Sequence, residues 1–335
     1  MKSAIGAKPA VGNYPMKVII LDSLHNAYVA HADLERQLLK DHAQVDLYHV
    51  ENVQQLPEEA LDCDAIISWH LVPLDRNALA RFSRCKVIVR AAVGFDNIDL
   101  DYARSCRIQV ANVPDYGTDE VADHTLALSL ALLRKLKTGD RIVRSGSWDW
   151  REIGAVPRLA ELRIGIVGLG RIGTAVAQRF KAFGCEIAFH DPYVPSGWEK
   201  SLRVHRCETL DDLLELADLL TLHVPLDTGT RHLINHHSLQ RLQGKFLVNT
   251  ARGGLIDPQA LEVAMEQRIL RGLALDVHED EIHLPAAALL GEDVIWSPHA
   301  AFYSDSALGE LRAKAVRCAL QLLLSGWHRN LIKHP

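Results

Sequence analysis

The chain has no C-x-x-C pair, no apolar run long enough to cross a membrane and no block of like charge. Its six cysteines stand far apart, at 63, 85, 106, 185, 207 and 318. That spacing argues against a cysteine-based zinc site, so no metal is expected, and it fits small buried side chains in a reducing, cytoplasmic setting. A membrane span needs roughly 18 uncharged apolar residues, and no stretch approaches that. The formal charge of −5 is mild and dispersed, which leaves no basic stripe for direct binding of nucleic acid. Residues 1–15 contain Lys2 and Lys8 without a continuous apolar segment. They read as a disordered leader rather than a secretory signal, and Met16 opens the first strand directly.

At 335 residues the chain suits two domains, each large enough for its own core. Its most informative stretch runs from Arg163 to Asp191. The apolar run Ile164–Val167 leads into Gly168-Leu169-Gly170-Arg171-Ile172-Gly173, a G-x-G-x-x-G turn between a strand and a helix. The first glycine permits the tight turn, the second lets backbone approach a pyrophosphate, and the third lets the helix pack close to the strand. The helix, expected over Thr174–Phe183, directs its N-terminal N–H groups at the phosphates. A second strand, Glu186–His190, ends at Asp191. A carboxylate there accepts hydrogen bonds from an adenosine ribose and repels a 2′-phosphate, so NAD is the expected cofactor.

The first 112 residues alternate short apolar runs with helical stretches. The runs are Lys17–Leu21, Val45–Tyr48, Ala65–Ser68, Val87–Arg90 and Ile108–Asn112, with a helix expected over Asp33–Asp41. Alternation of this kind predicts a parallel sheet covered on both faces. Two loops follow strand ends: Trp69-His70, and Arg90 through Val93 and Gly94 to Asn97. Strand-end loops are where such sheets bind ligands, and the second combines a permanent cation with a small-residue turn. A long helix is expected over Asp119–Leu136, capped by Thr118 or Asp119, with an apolar section at 126–133 explained in part by core packing and for the rest by an interdomain or subunit contact. Residues 144–158 read as an irregular connection.

Beyond Asp191 come Leu219–His223, Phe246–Asn249, Leu273–Asp276 and Val294–Trp296. With the two strands flanking the glycine turn these make six, as in a doubly wound dinucleotide fold of order 3-2-1-4-5-6. Helices are expected over Thr209–Ala217, near Ser238–Leu242, and from Asp257-Pro258 to about Arg268. A last helix, about Ser306–Leu324, packs back on the first domain. The fold expected is therefore α/β: residues 113–304 form a Rossmann NAD-binding domain inserted in a flavodoxin-like substrate domain made of 1–112 and 305–335.

The fourth, fifth and sixth of these strands end on the nicotinamide side. They lead into Asn249-Thr250-Ala251-Arg252-Gly253-Gly254, Asp276-Val277-His278-Glu279-Asp280-Glu281 and Ser297-Pro298-His299-Ala300. One guanidinium, a carboxylate cluster and one imidazole thus converge on one region. The set suits hydride transfer to or from a 2-hydroxy acid. His299 would carry the hydroxyl proton, a carboxylate would orient and stabilise its imidazolium, and Arg252 would bind the substrate carboxylate in two-pronged fashion. On chemistry alone Glu279 and Asp280 compete with Glu281 for the orienting role.

In these motifs the sequence resembles the NAD-dependent D-isomer-specific 2-hydroxyacid dehydrogenases, and looks most like their C-terminal binding protein branch. The matching stretches are Val93–Asp99, Val167–Gly173, His190–Tyr193, Asn249–Gly254, Ala274–Glu279 and Pro298–Ser304. The resemblance implies Arg252, Glu281 and His299 as catalytic residues, choosing Glu281 because the family glutamate lies five residues past the aspartate found here at 276. It also implies that Thr250 and Asp276 face the nicotinamide and that Val224 to Thr230, including Pro225, border the adenosine. By the same resemblance Thr118 and Val93 approach the cofactor, while Arg90, His70, Val93 and Gly94 face substrate. A homodimer formed through the cofactor domain is implied, with a small 2-keto or 2-hydroxy acid as partner. Two departures stand out: Ile282 replaces the usual proline, and Phe302 replaces a pocket tryptophan. The branch implies a second reading as well, an NAD(H)-sensing corepressor scaffold with little turnover.

Overall fold

A computed structural model describes residues 16–332 apart from 282 and 284; the leader 1–15 and the Ile282 departure lie outside the described residues. The chain divides into two compact units. One comprises the described residues up to Tyr116 together with those from Leu308 onward, the other Gly117–Ala307. Among the described residues no helix is long and apolar enough to cross a membrane.

The first unit holds a parallel sheet of β1 (Met16–Asp22), β2 (Ala43–His49), β3 (Ala65–Ser68), β4 (Val87–Arg90) and β5 (Gln109–Asn112), in the order β2-β1-β3-β4-β5. The flavodoxin-like order is the one expected. Ile19, Ile66 and Ile88 lie in register on neighbouring strands and are fully buried, as the unbroken apolar runs require. The register also sets Ser68, at the end of β3, beside Arg90, at the end of β4. Two residues past Ser68 comes His70. The C-terminal helix Asp305–Ser325 belongs to this unit from Leu308, tied by Arg312 Nε to the buried Glu35 at 2.7 Å.

The second unit is a seven-stranded parallel sheet, not six. Its strands are β6 (Arg163–Val167), β7 (Glu186–His190), β8 (His205–Arg206), β9 (Leu219–Leu222), β10 (Phe246–Asn249), β11 (Gly272–Leu275) and β12 (Val294–Trp296). They are ordered β12-β11-β10-β9-β6-β7-β8. The additional strand, β8, has only two polar residues, so no apolar run marks it. It takes the outer place next to β7 that a six-strand count gives to Leu219–His223. The 219–222 strand instead lies between β6 and β10, and its four residues are wholly buried there. Chain direction along the sheet therefore switches at β6, flanked by β7 and β9. Strands β10, β11 and β12 remain neighbours, so the three loops singled out above emerge side by side.

The helix expected over Asp119–Leu136 is two helices, Thr118–Leu133 and Leu136–Arg144. Lys135 adopts a left-handed conformation, φ 52°, and breaks them apart. Thr118 is the first helical residue rather than a side-chain cap; Gly117 holds the cap position. Leu128, Leu132 and Leu133 are buried, and a Cβ placed on Gly272 would stand 2.9 Å from Leu132. The apolar face is thus spent largely on the sheet.

Candidate active site

The glycine turn is built from three different constraints. Gly168 has φ 89°, and a Cβ on it would meet Val224 at 2.7 Å and the His223 carbonyl at 2.8 Å. A Cβ on Gly173 would come within 2.1 Å of the Gly168 carbonyl oxygen, which is how the helix Arg171–Ala182 approaches the strand so closely. Above Gly170, by contrast, a Cβ would meet nothing within 4 Å. No side chain caps this helix at Gly170. Open space over a glycine at an uncapped helix N-terminus fits a pyrophosphate. Arg171 and Ile172 form the first helical turn. The Asp191 carboxylate accepts the Leu169 N–H at 2.8 Å and the Tyr193 N–H at 2.9 Å, so it fastens the turn.

On the other side of β6, the segment after β9 opens with His223 and Val224. Burial pushes the His223 pKa down to about 3, leaving a neutral ring whose Nε2 lies 3.0 Å from Thr221 Oγ1. Farther on, the Thr230 hydroxyl donates to the Pro225 carbonyl at 2.7 Å and closes the 225–230 loop on itself. Sequence reasoning gave His223 no role; a histidine ending a buried, mostly apolar strand was the available signal.

After β10, the fully buried Asn249 sets the next loop. Its amide donates to the Arg252 carbonyl at 2.8 Å and accepts the Ala251 N–H at 3.0 Å, while Arg252 Nη1 donates back to the Ala251 carbonyl at 2.8 Å. Thr250 is buried and its hydroxyl meets Thr125 Oγ1 at 2.8 Å.

Asp276, at the end of β11, is buried to 2% exposure and anchors the turn after β12. Its carboxylate accepts Ser297 Oγ at 2.5 Å and the N–H groups of Ala300 and Ala301 at 2.8 and 2.9 Å. The His299 N–H reaches the Asp276 carbonyl at 2.8 Å. These bonds hold His299 at φ 53°, an unusual conformation for a residue with a Cβ. His124, from the helix Thr118–Leu133, completes the chain with Nε2 2.8 Å from Ser297 Oγ. These partners make Asp276 a support of the His299 turn, in addition to the nicotinamide-facing role that the resemblance implies.

The three carboxylates that competed in sequence have three different partners. Glu279 binds Arg231 and His232, Asp280 meets His283 Nδ1 at 2.8 Å, and Glu281 places its oxygens 3.0 and 2.9 Å from His299 Nδ1. A carboxylate only accepts here, so His299 Nδ1 carries a proton. Phe302 meets the His299 ring edge-on, centroids 6.4 Å apart.

In the first unit, Arg90 is 2% exposed. Its Nε donates to Asn97 Oδ1 at 2.9 Å and its Nη2 to His70 Nδ1 at 3.0 Å. Because a guanidinium cannot accept, His70 keeps its proton on Nε2. Asn97 in turn donates to the Val72 carbonyl at 2.9 Å, and Asn112 Nδ2 donates to the Val93 carbonyl at 2.6 Å beside Gly94.

Residues 126–301 match the family model described as the NAD binding domain of D-isomer specific 2-hydroxyacid dehydrogenases. Over 295 residues the chain is 36% identical to a glyoxylate reductase of Korarchaeum cryptofilum, covering 86% of this chain and 87% of that protein. It is 33% identical over 324 residues to a D-3-phosphoglycerate dehydrogenase of Methanocaldococcus jannaschii; this covers 96% of the chain but spans only 60% of that protein's length. Among solved structures, a D-lactate dehydrogenase from Aquifex aeolicus in complex with NAD and lactic acid superimposes with a TM-score of 0.84 at 30% identity. That match covers 95% of this chain and 99% of the other. These comparisons do not single out the C-terminal binding protein branch.

Proposed function

The chain belongs to the D-isomer-specific 2-hydroxyacid dehydrogenase family, and on that premise we propose that it interconverts a D-2-hydroxy acid and its 2-keto acid with NAD as cofactor. The observation that carries the reading is the Glu281–His299 pair, 2.9 Å at its closest, at a strand end beside the one that leads to Arg252. NAD, when bound, accepts a hydride from C2 or returns one to it. Gly168, Gly170, Gly173 and Asp191 would hold it, with Arg171, Ile172, Val224, Pro225, Thr230, Thr250, Asp276, Thr118 and Val93 as further proposed cofactor residues.

The chain's own residues supply position and proton transfer. Arg252 grips the substrate carboxylate with two parallel N–H bonds, which fixes C2 in one orientation. His299 takes the hydroxyl proton through Nε2 during oxidation and gives it back to the carbonyl oxygen during reduction. Glu281 keeps the productive tautomer and balances the charge when the imidazole is protonated. In the first unit, Arg90, His70, Val93 and Gly94 are the residues proposed to face substrate.

The relatives named above are dehydrogenases and reductases, so the scaffold reading gains no support. The proposed setting is cytoplasmic, in keeping with six unpaired cysteines, and the proposed assembly a homodimer. Trp148, 88% exposed, and Trp150, 78% exposed, give the cofactor unit apolar surface of the kind subunit contacts cover. The test of the activity is NADH oxidation against pyruvate, glyoxylate, hydroxypyruvate and longer 2-keto acids. Turnover of at least one is expected; tight NADH binding with turnover of none would overturn the proposal.

A further inference from the structure

The loop carrying Arg252 lies beneath a clasp made by its two neighbours. In the sheet β10 lies between β9 and β11. From the β9 side come Arg231 and His232, and from the β11 side comes Glu279. The Arg231 guanidinium binds one Glu279 oxygen, and His232 Nε2 lies 3.1 Å from the other. Both carboxylate oxygens are therefore engaged across the intervening loop.

Beneath the clasp, Gly253 and Gly254 touch both sides. A Cβ on Gly253 would stand 2.0 Å from the His278 carbonyl carbon and 2.3 Å from the Glu279 nitrogen. A Cβ on Gly254 would stand 3.0 Å from Leu226, and 3.7 Å from Arg231 Nη1. The Gly254 carbonyl accepts the His232 N–H at 2.8 Å, and His232 sits at φ 51°, in left-handed backbone that a residue with a Cβ seldom adopts. Asn249 and Thr250 hold the loop before Arg252; after it, two glycines without side chains leave the position to the flanking segments. A half-exposed ion pair adds little to stability, which leaves placement as a role for it to fill.

We propose that Glu279, through Arg231 and His232, is a positioning residue that fixes the Arg252 guanidinium for recognition of the substrate carboxylate. The proposal rests on the substrate role assigned to Arg252 above. Small displacements of an orienting group cost up to about a hundredfold in rate or binding. Loss of the clasp is therefore expected to weaken carboxylate binding about tenfold and to spare the cofactor.

The test uses oxamate, an unreactive 2-keto acid analogue, titrated into the protein–NADH complex and followed by NADH fluorescence. Glu279→Gln should weaken oxamate about tenfold with NADH affinity within about twofold of the parent. Arg231→Gln should weaken it comparably, and the double variant should lose no more than Glu279→Gln alone, because both act through one contact. Unchanged oxamate affinity in Glu279→Gln, additive losses, or a parallel loss of NADH affinity would each overturn the clasp. Failure of the unaltered protein to bind oxamate while binding NADH would instead remove the substrate role of Arg252, and the clasp with it.

Discussion

His299 and Asp276 are joined back to back: the His299 N–H donates to the Asp276 carbonyl at 2.8 Å, while the Asp276 carboxylate holds the N–H groups of Ala300 and Ala301. The proposed acid/base thus stands on a left-handed turn kept in place by a buried anion. Asp276→Asn replaces one acceptor oxygen with a donor that faces N–H or O–H groups. A loss of about 1–3 kcal/mol in unfolding free energy is expected, as for a buried group left unsatisfied. The accompanying fall in kcat should exceed any change in NADH affinity. Denaturant titration and steady-state kinetics check both.

Glu281→Gln keeps the size of the side chain and removes its charge. Because Glu281 meets His299 Nδ1 through both oxygens, the variant loses the support of the imidazolium and the fixed tautomer. Activity is expected to fall about a hundredfold, the lower range of general acid/base contributions. NADH affinity measured by fluorescence should stay within about twofold, and a variant with full activity would remove Glu281 from the mechanism.

Gly170 and Gly173 differ in what surrounds them, and the difference is testable. Gly170→Ala adds a methyl group where nothing lies within 4 Å and where the backbone is ordinary, φ −74°. The melting temperature should hold while NADH binding weakens. Gly173→Ala drives a methyl group to 2.1 Å from the Gly168 oxygen, and destabilisation of about 1–3 kcal/mol is expected from the overpacking alone. Equal melting temperatures for the two variants would contradict the account of the turn.

His223 makes stability depend on pH. Its folded pKa, about 3, lies below the ordinary 6.5, so between these values the unfolded chain binds a proton that the folded chain does not. Stability contributed by this group is therefore present above 6.5 and is lost as pH falls toward 3, by at most about 1.4 kcal/mol per pH unit. In His223→Asn this part of the slope should vanish. Urea unfolding of both proteins at pH 7 and pH 5 gives the comparison.

Much of this was legible because apolar periodicity and the glycine turn are local signals. The five strands of the first unit and the fingerprint strand, turn and helix follow from runs of adjacent residues, whereas the order 2-1-3-4-5 came with the flavodoxin-like fold class. The two-residue strand His205–Arg206 was not legible, since a polar dipeptide joins a sheet only because β7 offers it an edge. The break at Lys135 was missed for a similar reason: neither proline nor glycine marks it. Within the candidate site, the placement of Arg252, Glu281 and His299 at strand ends could be read from sequence. The supports could not. Ser297 reaches Asp276 across 21 residues and His124 reaches Ser297 across 173, and only the packed fold brings such partners together.

The most direct measurement compares substrate kinetics and cofactor binding in Arg252→Ala. The account predicts that kcat/KM for the preferred 2-keto acid falls by about a hundredfold or more, mostly through a higher KM, while the NADH dissociation constant changes less than about twofold. Equal losses of activity and NADH affinity would contradict it, because Arg252 would then be serving the cofactor or the fold rather than the substrate carboxylate.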